Sequence, residues 1–234
     1  MSEMTPGFDQ VVWLHEMLIR QADPAASSEA SHPGRLKPAT EWQPRVSAIT
    51  PYHAVDPAQL GLSGFRDFAD IPDAALTAAI EQVVATEGPV HFDVLADRLL
   101  EAAGIKRLGR RIRARIQAQL QAINEINFDG GRVAYAEQML VPPYRDWRTA
   151  PDKTRQLEYV SDAELMLALF RAVFDDRLTD EDSIMNTGLH NIGFIRFTER
   201  ARSQLQKPLS RLYALEMLVI DNGNVAVGKK AFLR

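Results

Sequence analysis

The residues with the clearest chemical signature lie between positions 106 and 115. Six of these ten side chains are basic (Lys106, Arg107, Arg110, Arg111, Arg113 and Arg115) and none is acidic. Cations at this density neutralise phosphates, and arginine can also make paired hydrogen bonds to the edge of guanine. The stretch reads as a helix from about Arg110 to Asn124, because Ile112, Ile116, Leu120 and Ile123 fall within an arc of roughly 80° at 100° per residue. Arg110, Arg111, Ala114, Gln117 and Gln121 then point away from that apolar stripe. Such a face suits the major groove: glutamine pairs with adenine, and alanine lets the helix approach closely. Lys106 and Arg107 in the preceding turn, with either Arg113 or Arg115, would meet phosphates, which position a protein without reading sequence. The expected DNA-binding set is therefore Lys106, Arg107, Arg110, Arg111, Arg113, Arg115 and Gln117, with double-stranded DNA as partner. Docking of the same arginines onto an acidic protein is the alternative.

The rest of the chain offers little competing chemistry. It has no glycine-rich loop leading into Lys-Ser or Lys-Thr, no His-Glu-x-x-His and no Gly-x-Ser-x-Gly. No catalytic residue, cofactor site or small-molecule substrate is expected. The five histidines are scattered at positions 15, 32, 53, 91 and 190. The acidic run Asp175, Asp176, Asp180, Glu181 and Asp182 lacks the ligand spacing and central glycine of a calcium loop, so no metal is expected there, and Thr179 with Asp182 resembles a capping box. The 234 residues include no cysteine, which removes disulfides and thiolate metal sites and makes cytoplasm the default compartment. No window approaches 18 uncharged apolar residues, so no membrane partner is expected.

A recognition helix needs a scaffold, and the sequence supplies it twice. Helices are expected from Asp73 to about Glu87, from Phe92 or Asp93 to Ala103, and from Arg110 onward. Val90 and His91 form a short extended stretch, Gly104 is placed for a left-handed cap, and a hairpin over Phe128, Asp129–Gly131 and Val133–Tyr135 follows. Sliding the chain by 89 positions superimposes Asp73 on Asp162, Leu100 on Leu189, Gly104 on Gly193, Arg107 on Arg196, Arg111 on Arg200, Arg113 on Arg202 and Leu120 on Leu209. A second hairpin is expected over Met217–Ile220 and Val225–Val227. The fold class is thus mainly α with small β-hairpins, arranged as tandem winged helix-turn-helix domains. The second copy has drifted: Glu199 stands in place of Arg110, Ile195 in place of Lys106, and Pro208 should kink or break its third helix. It reads mainly as a packing or protein-contact unit, with Arg196, Arg200, Arg202 and Arg211 as secondary phosphate contacts.

The expected organisation is an N-terminal amphipathic helix within 1–21, a flexible linker over 22–51 rich in Pro, Ala and Ser, and a lead-in over 52–70. The first winged-helix domain would span 71–141, a linker 142–159 and the diverged second domain 160–234. Net charge is −4, with 5 basic and 9 acidic residues in 1–70 and balance beyond, which excludes a protein that coats nucleic acid over its whole surface.

Residues 87–122 resemble a domain of unknown function found at the C-termini of large superfamily 1 helicase-like proteins, after a nuclease domain similar to the very-short-patch-repair endonucleases. The resemblance rests on Glu87, Gly88, Pro89, Val90 and His91, on Leu95, Ala96 and Arg98, and most specifically on Gly104, Lys106 or Arg107, Gly109, Arg111 and Ile112. It implies a DNA-processing or defence context and a helicase or nuclease protein as partner. The chain carries no helicase motif and no nuclease carboxylate cluster, so neither activity follows from the resemblance.

Overall fold

A computed structural model describes residues 49–129, 131–139 and 142–232, without the side chains of Asp129 and Phe232. The helix expected within 1–21 and the linker up to residue 48 lie outside the described residues. The architecture is mainly helical with small sheets. No helix among the described residues is long and apolar enough to cross a membrane.

In the first half, α1 (Asp73–Glu87) buries Leu76, Ile80, Val83 and Val84, and α2 (Phe92–Ala102) buries Val94, Leu95, Leu99 and Leu100. Between them lies β2 (Val90–His91), numbered after β1 (Thr50–Pro51). Gly104 takes a φ of 70°, which lets the chain reverse so that the Ile105 N–H reaches the Leu100 carbonyl at 2.8 Å. Next come α3 (Arg110–Ala122), β3 (Ile126–Asp129) and β4 (Val133–Ala136). β4 pairs antiparallel with both β3 and β2, setting Ala134 opposite Phe128 and Val90 in a sheet ordered β2-β4-β3. The lead-in packs Leu60, Leu62 and Phe68 onto this core.

The second half repeats the order. Helices α4 (Asp162–Phe174), α5 (Glu181–Asn191) and α6 (Glu199–Ala214) each begin 89 residues after their counterparts: 73 and 162, 92 and 181, 110 and 199. The hairpin of β6 (Leu218–Asp221) and β7 (Asn224–Val227) follows. Where β2 pairs with β4 in the first half, a single hydrogen bond runs from the Val225 N–H to the Thr179 carbonyl at 2.8 Å.

Two local expectations are corrected. α6 runs unbroken through Pro208, because the ring is buried and Leu205, Leu209 and Leu212 around it share a core with Leu165 and Leu169. That packing outweighs the lost N–H. The cap of α5 is Asp180, whose carboxylate accepts from the Ser183 N–H at 2.8 Å, and not Thr179. The acidic run is occupied internally: Asp182 holds Arg202, Asp175 holds Arg171, and Glu181 accepts from the Tyr213 hydroxyl.

The segment joining the halves does far more than connect them. β5 (Arg145–Asp146) pairs in parallel with β1, so residues 50 and 51, expected to be linker, are held in a ladder. Tyr144, Trp147 and Ala150 are buried in the second core, and Tyr52 from the lead-in crosses over to join them. Tyr159 packs against both cores. Buried polar groups complete the junction. Glu87 takes Arg98 at 2.8 Å, the Tyr52 hydroxyl at 2.6 Å and the Val55 N–H at 3.0 Å, while Arg98 also donates to Thr154 at 3.0 Å.

Candidate nucleic-acid interface

α3 is held by its inner face. Ile116, Leu120 and Ile123 are buried and Ile112 is half-buried against the first core. Gln119 donates to Thr77 at 2.6 Å, tying the helix to α1. Two of the six basic residues also serve this anchoring. Arg115 donates to the carbonyls of Phe68 and Ile71 and pairs with Asp73 at 2.8 Å, so its guanidinium clamps α3 onto the lead-in. Arg113 pairs with Asp93 at 2.9 Å and lies 4.9 Å over the Phe92 ring, clamping α3 onto the start of α2. Both terminal nitrogens of Arg115 are therefore engaged within the fold. Gln117 is half-buried, and so less available than the helical wheel implied.

Lys106, Arg107, Arg110 and Arg111 are different. All four are exposed, and none has a carboxylate partner among the described residues. They surround the N-terminus of α3, whose cap is Gly109 with no side-chain hydrogen bond and whose first turn holds no acidic residue. The free N–H groups and the helix dipole add positive potential to four cations at one place. Ala114 and Gln121 are exposed further along the helix. The equivalent end of α6 is satisfied from within: Thr198 accepts from the Ala201 N–H at 3.2 Å, and Glu199 occupies the first turn. Arg200 pairs there with Glu158 at 3.2 Å and Arg202 with Asp182.

One cation escaped the sequence reading. Arg132 sits in the β3–β4 turn, and its carbonyl accepts from the Phe92 N–H at 2.7 Å, which places the turn beside the start of α2. With Arg113 it acts on the His91 imidazole, whose pKa is lowered mainly by burial and further by these two charges. The signal available was an arginine directly after Gly130 and Gly131, at a hairpin tip. Arg132 also lines a cleft of about 560 Å³ between this hairpin and α6, together with His91, Tyr135, Glu158, Arg200 and Lys207.

Comparison with known proteins adds one finding. Residues 66–114 match a family described as "Protein of unknown function (DUF3320)". The matched stretch runs from the lead-in through α1 and α2 into the first turns of α3, and so includes Lys106, Arg107, Arg110 and Arg111. Neither a curated protein nor a solved structure matches the chain.

Proposed function

We propose that the chain is a non-catalytic DNA-binding module built from tandem winged helix-turn-helix units, the first of which sets α3 into the major groove of duplex DNA. The observation that carries this reading is the cluster of Lys106, Arg107, Arg110 and Arg111, exposed and without acidic partners, around an uncapped helix N-terminus. The order of three helices and a hairpin, with β2 closing the sheet, is that of a winged helix. Arg132 at the hairpin tip supplies a further backbone contact, and the Arg113 side chain stays 44% exposed. The resemblance at residues 87–122 favours a helicase or nuclease protein as the machine that this module positions on DNA. The second half, with its capped and acid-paired α6, serves mainly as a scaffold and contact surface.

The test is salt-dependent binding of the purified chain to a duplex, followed by fluorescence anisotropy. Three to five phosphate contacts correspond to a slope of log affinity on log salt of roughly −3 to −4.5, at about −0.9 per phosphate. Arg110→Glu combined with Arg111→Glu should abolish binding at unchanged melting temperature, since neither side chain touches the core. Arg200→Glu with Arg202→Glu should weaken it far less. Absence of salt-dependent binding by the parent chain would overturn the reading in favour of a protein-docking module.

A further inference from the structure

A second groove, of about 480 Å³, lies at the N-terminal end of α6. Leu157, Leu189, Phe194 and Ile195 give it an apolar lining, and Arg148, Arg155, Arg196 and Arg200 surround it, the first, second and fourth already paired with Asp146, Asp152 and Glu158. Ile195 is 81% exposed, the most exposed large apolar side chain among the described residues. In the first half the equivalent position is Lys106. The second half thus carries an apolar side chain where the first half carries an exposed lysine, with arginines around it. Phosphate gains nothing from an exposed isoleucine, whereas a peptide with apolar and acidic side chains matches both features.

The described chain begins beside this groove. Ile49 packs against the second core, and Thr50 and Pro51 pair with Arg145 and Asp146, two residues before Arg148 at the rim. Ahead of them run 48 residues whose first part holds Phe8, Val11, Val12, Leu18 and Ile19 at helical spacing. At 100° per residue, Asp9 and Glu16 fall along one edge of that apolar stripe. A flexible chain as long as residues 20–48 has an r.m.s. reach of roughly 30 Å, ample for a groove next to its own anchor point.

We propose that residues 8–19 of the same chain dock in this groove as an amphipathic helix. Phe8, Val11, Val12, Leu18 and Ile19 cover Ile195 and Phe194, while Asp9 and Glu16 face Arg155 and Arg196. Because Asp152, which pairs with Arg155 at 2.9 Å, sits in an exposed pair, exchanging it costs little. The occupant covers the second half and leaves α3 free, so this docking is independent of the DNA reading.

The chain has no cysteine, so Gln10→Cys offers one site for a nitroxide label on the full-length protein. Docking predicts paramagnetic broadening of the Phe194, Ile195 and Thr198 amide signals in dilute protein. The broadening should disappear in Arg155→Glu with Arg196→Glu, and equally in Asp9→Lys with Glu16→Lys, which alters no described residue. A groove whose signals stay sharp in the labelled parent belongs to a partner outside this chain, and overturns the proposal. So does broadening that survives both charge reversals. Broadening seen only when labelled chains are mixed with isotopically enriched unlabelled ones would assign the groove to a second copy and overturn docking within one chain.

Discussion

Arg145 and Glu164 meet in a two-point ion pair, with Nε 2.8 Å from Oε1 and Nη2 2.6 Å from Oε2, and their side chains are only 6% and 1% exposed. Arg145 uses its remaining donors on the first half, giving Nη1 to the Glu87 carbonyl at 2.6 Å and Nη2 to the Pro89 carbonyl at 2.9 Å. Its guanidinium also lies 4.8 Å from the Tyr52 ring and 5.1 Å from the Trp147 ring. One side chain from the joining segment therefore holds the C-terminal end of α1, the first turn of α4 and the lead-in together. Ser161 completes the arrangement by donating to the same Glu164 carboxylate at 3.0 Å.

Breaking this pair should be among the most damaging single changes in the chain. Arg145→Ala strands the Glu164 carboxylate in the interior, and Glu164→Ala strands the guanidinium; removal of one member of a buried pair typically costs about 3–5 kcal/mol. The double substitution should cost less than the sum of the single ones, because no unpaired charge is then left buried. Urea denaturation of the three variants measures both quantities. A single-variant loss under about 1 kcal/mol would place the pair in the class of exposed ion pairs and contradict the burial described here.

Arg115 separates charge from geometry. Its donors reach two backbone carbonyls and a carboxylate, a fork that lysine cannot reproduce. Arg115→Lys keeps the charge of the basic cluster but should lower stability by about 1–2 kcal/mol, as expected for charge-assisted hydrogen bonds lost to partly buried carbonyls. Arg110→Lys and Arg111→Lys, which have no partner to lose among the described residues, should stay within about 0.5 kcal/mol. Thermal denaturation decides between them. Equal losses at positions 110 and 115 would show that Arg115 is not a clamp.

That distinction was half legible beforehand. On the wheel of α3, Arg113 lies roughly 20° and Arg115 roughly 60° outside the apolar stripe, on opposite sides, where long side chains can fold back along the body; Arg110 and Arg111 lie roughly 80° or more away. The wheel shows which arginines flank the core, but which carbonyls or carboxylates they meet depends on packing between segments more than 40 positions apart for Arg115. The helix starts were legible because each has a local cause: Pro72 before α1, His91 before α2, Gly109 before α3, and the 89-residue shift that carries these starts into the second half. The junction was not legible. Arg145 and Glu164 are 19 residues apart, Arg145 and Glu87 are 58 apart, and nothing in the local composition of residues 142–159 marks one arginine as buried. Gly193 shows the same limit. It caps α5 with a φ of 101°, as Gly104 caps α2, but a Cβ there would also meet the Arg148 backbone at 2.9 Å, while at Gly104 it would meet open space. Pro208 marks the same limit, since its effect on α6 is set by buried packing and not by the local rule for proline in a helix.

His91 gives the fold a defined response to pH. It precedes α2 as its N-cap, and Nδ1 accepts the Asp93 N–H at 3.2 Å, which requires that nitrogen to be unprotonated. The ring lies 4.8 Å from Tyr159, in the joining segment. Burial is the main force lowering its pKa below the usual imidazole value of 6.5; Arg132 and Arg113 push the same way, and Asp93 and Glu158 oppose them. The folded protein thus prefers the neutral ring. Below about pH 6.5 the unfolded chain binds a proton that the folded chain resists, so stability must fall as pH falls, whereas above about pH 7 the contribution is complete. His91→Asn keeps a capping side chain and removes the titration. The stability difference between parent and variant, taken at each pH so that the carboxylates common to both cancel, should be flat above about pH 7 and should move in favour of the variant as the pH falls from about 6.5. A parent that instead gains on the variant under acid would mean that the Asp93 carboxylate, 3.8 Å from Nδ1, holds an imidazolium there, and the neutral cap would be wrong.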